Sequence, residues 1–162
     1  MSELIKSLVT DRTAYDFAHW HRLRDKGYSA MTDAERAEWD AGTLKGAYNV
    51  GDLNRVGAAL NYMRDCLAEA SYISPYAFTA RTNWTRGDMP NAADLTHYLN
   101  CVSLIREAFS RYDATPPTPK DRGALSWQEA NDIEKILVDV YTLLNNMLFA
   151  RFHCGDIYSG ET

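Results

Sequence analysis

The sequence contains no pair of cysteines close enough to work together. Cys66, Cys101 and Cys154 are three in number, far apart and without a CxxC spacing, which excludes a disulfide framework. Cys66 lies inside an apolar helical stretch and Cys101 beside Val102, so both read as small buried hydrophobes. No apolar run approaches the ~20 residues that cross a bilayer, so no membrane insertion is expected. The start, Met1-Ser2-Glu3-Leu4-Ile5-Lys6, lacks the basic opening and apolar run of a signal peptide, and synthesis in the cytoplasm without Sec export is expected. Lys and Arg form no run or stripe, and a net charge of −5 repels phosphate backbones, so nucleic acid is a poor partner. Internal repeats and low-complexity segments are absent.

What is present suits one folded unit. The 162 residues are 46% hydrophobic and 24% charged, enough to bury a core and too apolar for wholesale disorder. The apolar residues fall into three stripes. Leu53, Val56, Leu60, Met63 and Leu67 recur at spacings of 3 and 4. Leu95/Tyr98/Leu99/Val102/Ile105/Phe109 and Ile133/Ile136/Leu137/Val140/Leu144/Met147/Leu148 do the same. A helix turns once per 3.6 residues, so each set lies on one side and needs an apolar cover. Three such helices cover one another, which predicts an all-α, single-domain helical bundle over 1–162.

Capping chemistry places the elements. Thr10-Asp11 starts a first helix over roughly 11–26, closed by Lys26-Gly27. Its apolar face is mixed: Ala14, Phe17, Ala18, Trp20 and Leu23. Thr32-Asp33-Ala34-Glu35 is a capping box that opens a short helix to about Ala41, where Gly42 ends it. Asn49 caps a long helix to about Ala70; Gly57 inside it costs ~1 kcal/mol against Ala and implies a close crossing. Residues 71–91 break the helical pattern and read as an ordered aromatic loop, with a short extended piece over 76–83. Asn91 caps the next helix, to about Tyr112. Pro116, Pro117 and Pro119 make 113–124 a stiff connection. Ser126-Trp127-Gln128-Glu129 is a second capping box and starts the last helix, to about Ala150 or Arg151. Residues 152–162 read as an arm or a small hairpin.

No constellation of residues amounts to an active site. His19 and His21 are two apart and point to different sides of a helix, and neither His97 nor His153 supplies a metal-binding spacing. Neither a metal nor a cofactor is expected. Cys154 beside His153 is too close in sequence for aligned proton transfer. Gly87-Asp88 and Gly155-Asp156 are turn chemistry, and carboxylates such as Asp132 and Glu134 fit solvated helix faces. No catalytic residue is assigned, and the chain is expected not to be an enzyme.

Aromatics are the exception. Four Trp and ten Tyr are many for a small helical domain, and several lie outside the stripes. Tyr72, Tyr76, Phe78 and Trp84 in the loop, with Tyr158 in the tail, are the candidate contact residues. Three roles fit them: a lid on the core, a protein interface, or a platform on which sugars stack.

Three stretches taken together resemble a known group. They are Leu44-Lys45-Gly46-Ala47-Tyr48-Asn49 running into Asp52-Leu53-Asn54-Arg55-Val56; Asn83-Trp84 with Asp88-Met89-Pro90 ahead of Asp94, Tyr98-Leu99, Val102 and Ile105-Arg106; and Leu125-Ser126-Trp127-Gln128-Glu129-Ala130-Asn131-Asp132-Ile133-Glu134-Lys135-Ile136-Leu137. They resemble helical segments in tail-associated proteins (fibre, baseplate or minor structural) of phages and prophages from gut Firmicutes, over roughly residues 10–150. The resemblance transfers no catalytic residue. It implies a non-enzymatic structural or adaptor domain, made in the bacterial cytoplasm and carried in the virion tail. Its partners would be further copies of itself or other tail proteins. The alternative is a carbohydrate-binding module that attaches to a host-surface glycan through the loop aromatics. Asn54 with Arg55, and Asn131 with Glu134, have a structural reading as polar bridges between helices near the bundle ends.

Overall fold

The computed structural model describes residues 2–120 and 125–156, the stretch 151–156 as helical backbone. Six α-helices account for its regular structure: α1 (Glu3–Lys6), α2 (Ala14–Lys26), α3 (Asp33–Ala41), α4 (Val50–Glu69), α5 (Ala92–Ala108) and α6 (Trp127–Asp156). A 3₁₀ turn at Tyr28–Ala30 joins α2 to α3, and no strand occurs among the described residues.

Reciprocal caps set the helix starts. Thr13, Thr32, Asn49 and Asn91 each accept from a first-turn amide, and Asp16, Glu35, Asp52 and Asp94 each return a carboxylate to the cap N–H. Ser126 and Glu129 exchange the same pair of bonds at the start of α6. Helix α2 begins at Ala14 instead of near 11 because Thr13 and Asp16 form the box, while Asp11 reaches Lys45 at 2.8 Å. Helix α5 stops at Ala108, short of Tyr112: Phe109 turns extended (φ −139°, ψ 174°) and sets its ring 4.6 Å from that of Tyr72. Helix α6 runs on to Asp156, so 152–156, expected in an arm or hairpin, are helical. Residues 157–162 lie outside the described residues.

The three stripes meet in one core. Val56, Leu60, Met63 and Leu67 of α4, Leu99, Val102 and Ile105 of α5, and Ile133, Ile136, Leu137, Val140 and Leu144 of α6 are all buried together, with Ile5 of α1 beneath them. A smaller core of Leu23, Met31 and Leu44, flanked by Trp20 and Trp39, holds α2 and α3 together as a separate lobe.

The helices of the main core run parallel. Arg55 pairs with Glu134, the Tyr62 ring lies 6.0 Å from that of Tyr141, and the Tyr72 hydroxyl donates to Met147 Sδ. Positions along α4 and α6 therefore rise together. Tyr48 on Tyr98 and Tyr72 on Phe109 show the same direction for α5. Each chain reversal must then travel back along a whole helix; the 20 residues of α4 span about 30 Å. This is why the connections, 71–91 and the described part 109–120 of the second, are long instead of tight turns.

An extended segment on a helix has no neighbouring strand to take its backbone bonds, yet buried peptide groups need partners. Asparagine carboxamides supply them. Asn61 accepts from the Ala80 N–H and donates to the Ala80 carbonyl, both at 2.9 Å. Asn54 does the same for Trp84, at 2.7 and 2.9 Å. Arg64 Nη1 donates to the Phe78 carbonyl at 2.8 Å. This segment, a strap over 78–84, thus runs antiparallel to α4, with Phe78, Ala80 and Trp84 buried. Asn131 of α6 clamps Arg12 of the N-terminal arm, the segment 7–13 between α1 and α2, in the same two-point way, at 3.0 and 2.9 Å.

Gly57 lies between the two clamps on α4. The close approach implied there is made by the strap: a Cβ at Gly57 would collide with the Arg81 carbonyl oxygen. Gly57→Ala, which would stabilise an exposed helix, is expected here to destabilise by roughly 1–3 kcal/mol in urea unfolding, since backbone must move. A gain in stability would show the strap to be displaced without cost. Asn61→Asp keeps the acceptor but loses the donor, leaving the Ala80 carbonyl facing a carboxylate. It is expected to lose about 1–3 kcal/mol by the same measurement, with exposed Asn100→Asp as the reference.

Candidate functional site

Parallel packing brings the N-termini of α4, α5 and α6 to one end, and the α2–α3 lobe sits against that end. Between lobe and bundle lies a cleft of about 1020 Å³. Phe17 and Trp20 of α2 form one wall, Leu53, Leu95 and Trp127 the other, and Tyr48 and Arg12 line it too. Gly46 lets the lobe close at its base, because a side chain there would collide with the Asp16 carbonyl and the Phe17 Cα. His21 and Arg24 also line it, the Arg24 guanidinium 5.0 Å above the Trp20 ring.

Beneath the cleft is a closed network of charge. Arg12 Nη2 bridges Asp52 Oδ1 at 3.0 Å and Glu134 Oε1 at 2.7 Å, with side chains 1%, 7% and 0% exposed. Arg55 adds a second guanidinium, 3.0 Å from Glu134, and also bonds Asp52. Two cations face two anions, so the buried group is neutral overall. The second Glu134 oxygen accepts from the Val9 N–H. The Tyr48 ring lies under the Arg12 guanidinium, 5.5 Å away, and its hydroxyl bonds that of Tyr98. Burial, reinforced by the Glu134 carboxylate, pushes the Tyr48 phenol far up, and burial and Tyr48 push Tyr98 up, so both stay protonated. The network ties the arm, α4 and α6 into one block.

Glu134 therefore departs from the solvated-face reading of its sequence neighbourhood. Asp132, two residues earlier, is half-buried, and burial with nearby Glu129 raises its carboxyl. Arg55 and Glu134 do bridge two helices, as expected of polar pairs near the bundle end. Asn54 and Asn131 instead hold the strap and the arm.

The aromatic candidates from the sequence do not form one surface. Phe78 and Trp84 are each 7% exposed, with Arg64 5.9 Å over the first ring and Arg81 3.9 Å over the second. Tyr76 is 92% exposed. Tyr72 is partly exposed at the far end of the bundle, engaged with Phe109 and Met147. Tyr158 lies outside the described residues. The cleft aromatics Phe17, Trp20 and Trp127 were not singled out from sequence. The signal for Phe17 and Trp20 is the mixed apolar face of α2, too poor for a core helix and too rich for a solvated one, whereas Trp127, at the start of α6, carries none beyond its place in a capping box.

The side chains of His153 and Cys154 lie outside the described residues; the other three histidines have separate partners. His19 bonds Glu38 at 3.0 Å, His21 bonds Asp25 at 2.8 Å, and His97 meets the Thr79 carbonyl at 2.9 Å. Among the described residues no group of three His, Cys, Asp or Glu could hold a metal ion. Cys101 Sγ lies 3.7 Å from His97 Nε2, but burial pushes the thiol up to about 11, so this pair holds no ready thiolate.

Fold and cleft define the chain as an all-helical protein with a two-lobed, aromatic-walled site. No family model matches it, and no curated protein or solved structure matches it significantly.

Glu134→Gln removes one of two anions facing two buried guanidiniums. We expect it to destabilise the chain by about 3–5 kcal/mol in denaturant unfolding, the scale of a broken buried pair. A loss under about 1 kcal/mol, the scale of a surface pair, would mean that water or rearrangement satisfies Arg12 and Arg55.

Proposed function

We propose that this chain is a non-enzymatic structural or adaptor domain of a phage or prophage tail, fibre or baseplate, acting through protein–protein contacts. The observation that carries the reading is the cleft. It is largely apolar, it lies between two separately cored lobes, and its walls include Phe17, Trp20 and Trp127, the residue types that anchor protein interfaces. The phage context rests on the resemblance of the 44–56, 83–106 and 125–137 stretches. It makes the virion tail the proposed location and further copies, or other tail proteins, the proposed partners. No helix among the described residues is long and apolar enough to cross a membrane.

A second contact point is Tyr76, which with Met89 projects from the 71–91 connection, at 92% and 90% exposure. Carbohydrate attachment through the loop aromatics stands behind this reading, because a sugar needs an open ring face and the chain itself covers Phe78 and Trp84. Light scattering across a wide concentration range tests self-association. We expect a mass above the 18.3 kDa of one chain, lowered by Tyr76→Ser. A mass of 18.3 kDa at every concentration would overturn self-assembly and leave a different tail protein as the partner.

A further inference from the structure

The cleft is uneven in chemistry, and that unevenness selects its occupant. Its depth is apolar, shaped by Trp20, Leu53, Leu95 and Trp127. Its margin carries one exposed guanidinium, that of Arg24. Arg24 is half-exposed over Trp20; its Nε and Nη2 bond the adjacent Asp25, at 3.2 and 3.0 Å and 57% exposed, and Nη2 also meets His21 Nε2 at 2.8 Å. Such a surface pair is weak and readily shared with an incoming carboxylate. Asn91, Ala92, Ser126, Trp127 and Gln128 line the cleft as the first turns of α5 and α6. The cap side chains serve the amides of Asp94 and Glu129, while helix geometry gives the amides of Ala92 and Trp127 no acceptor within the helix. Three parallel helices of 20, 17 and 30 residues bring their N-terminal ends to this side of the bundle, each offset by a first-turn carboxylate, Asp52, Asp94 or Glu129. Against this stands Glu129, one of whose oxygens is occupied by Ser126. Arg12 at the cleft is balanced by Asp52 and Glu134, with its buried Nε unpartnered.

We propose that the cleft binds a segment of a partner protein carrying an aromatic or long aliphatic anchor flanked by carboxylates. The proposal rests on the docking reading above and names the chemistry of the partner. The anchor enters between Trp20 and Trp127, and the carboxylates meet Arg24 and the open amides of the first helical turns. A cationic segment would face Arg24 at close range, and a neutral glycan would leave the charged margin unused.

The four tryptophans supply the test. The full chain labelled with 5-fluorotryptophan gives fluorine NMR signals for Trp20 and Trp127 in the cleft, with Trp39 and Trp84 as internal controls. A random-peptide display library, selected on the same chain, supplies the probes. Enriched peptides are expected to place Asp or Glu beside an aromatic or long aliphatic residue. They should move the Trp20 and Trp127 signals, leave Trp39 and Trp84 in place, and bind about tenfold more weakly to Arg24→Glu. Peptides that move the two cleft signals without acidic bias, or that ignore Arg24→Glu, would overturn the acidic occupant and leave the docking reading standing. If no peptide moves them, both readings are overturned. The same holds if a soluble wall-glycan preparation moves them and no peptide does.

Discussion

An asparagine carboxamide is a peptide group detached from the chain, and this fold uses three of them where a sheet would use a neighbouring strand. Asn54, Asn61 and Asn131 each take both the N–H and the carbonyl of one residue in an extended segment. Without them the strap and the N-terminal arm would bury peptide groups against helices that have no free backbone to offer. The clamps let extended chain lie flat on a helix, and that permits connections which return along its full length. Parallel helices follow from this.

Parallel packing has an electrostatic consequence. It stacks three helix dipoles in the same sense, an arrangement that antiparallel bundles avoid. The chain offsets this locally: Asp52, Asp94 and Glu129 each stand in the first turn of their helix and close a capping box. Asp52 also faces Arg12 and Arg55, so one carboxylate caps a helix and completes the buried network. That network lies under the place where the lobe meets the bundle. It gives the cleft a floor built from the arm, α4 and α6, positions far apart in sequence. Exchange of the network for apolar residues would not necessarily weaken the fold, because buried ion pairs repay their desolvation poorly. What it secures is a fixed register between the arm and two helices.

The site takes its character from the join between two cores. The main core is long and continuous, whereas the lobe has a small core of Leu23, Met31 and Leu44 flanked by Trp20 and Trp39. Trp20 flanks the small core and also lines the cleft, so a ligand that touched it would press on the packing of the lobe. Arg24 above Trp20 joins an apolar wall to a cationic margin within one turn of helix. Recognition by an anchor and a charge together is what such a pairing suits.

Local rules within the sequence determined the helices. The stripes of spacing 3 and 4 became the main core, and the pattern of Thr, Asn or Ser followed by an acid three residues on marked the starts of α3, α4, α5 and α6. The row one residue beyond the α4 stripe, Asn54, Gly57, Asn61 and Arg64, carried the strap site in plain view. Gly57 signalled a close neighbour, but spacing does not distinguish a helix from an extended strap as that neighbour. Tertiary structure alone decided helix direction, because an amphipathic stripe reads the same whichever end is up. It decided the burial of Glu134, whose flanking polar residues resemble those of any solvated face, since burial depends on Arg12 arriving from 122 residues away. It also decided which aromatics are covered and which face a cleft. That depends on how two cores meet, and residues as distant as Phe17 and Trp127 share no local pattern.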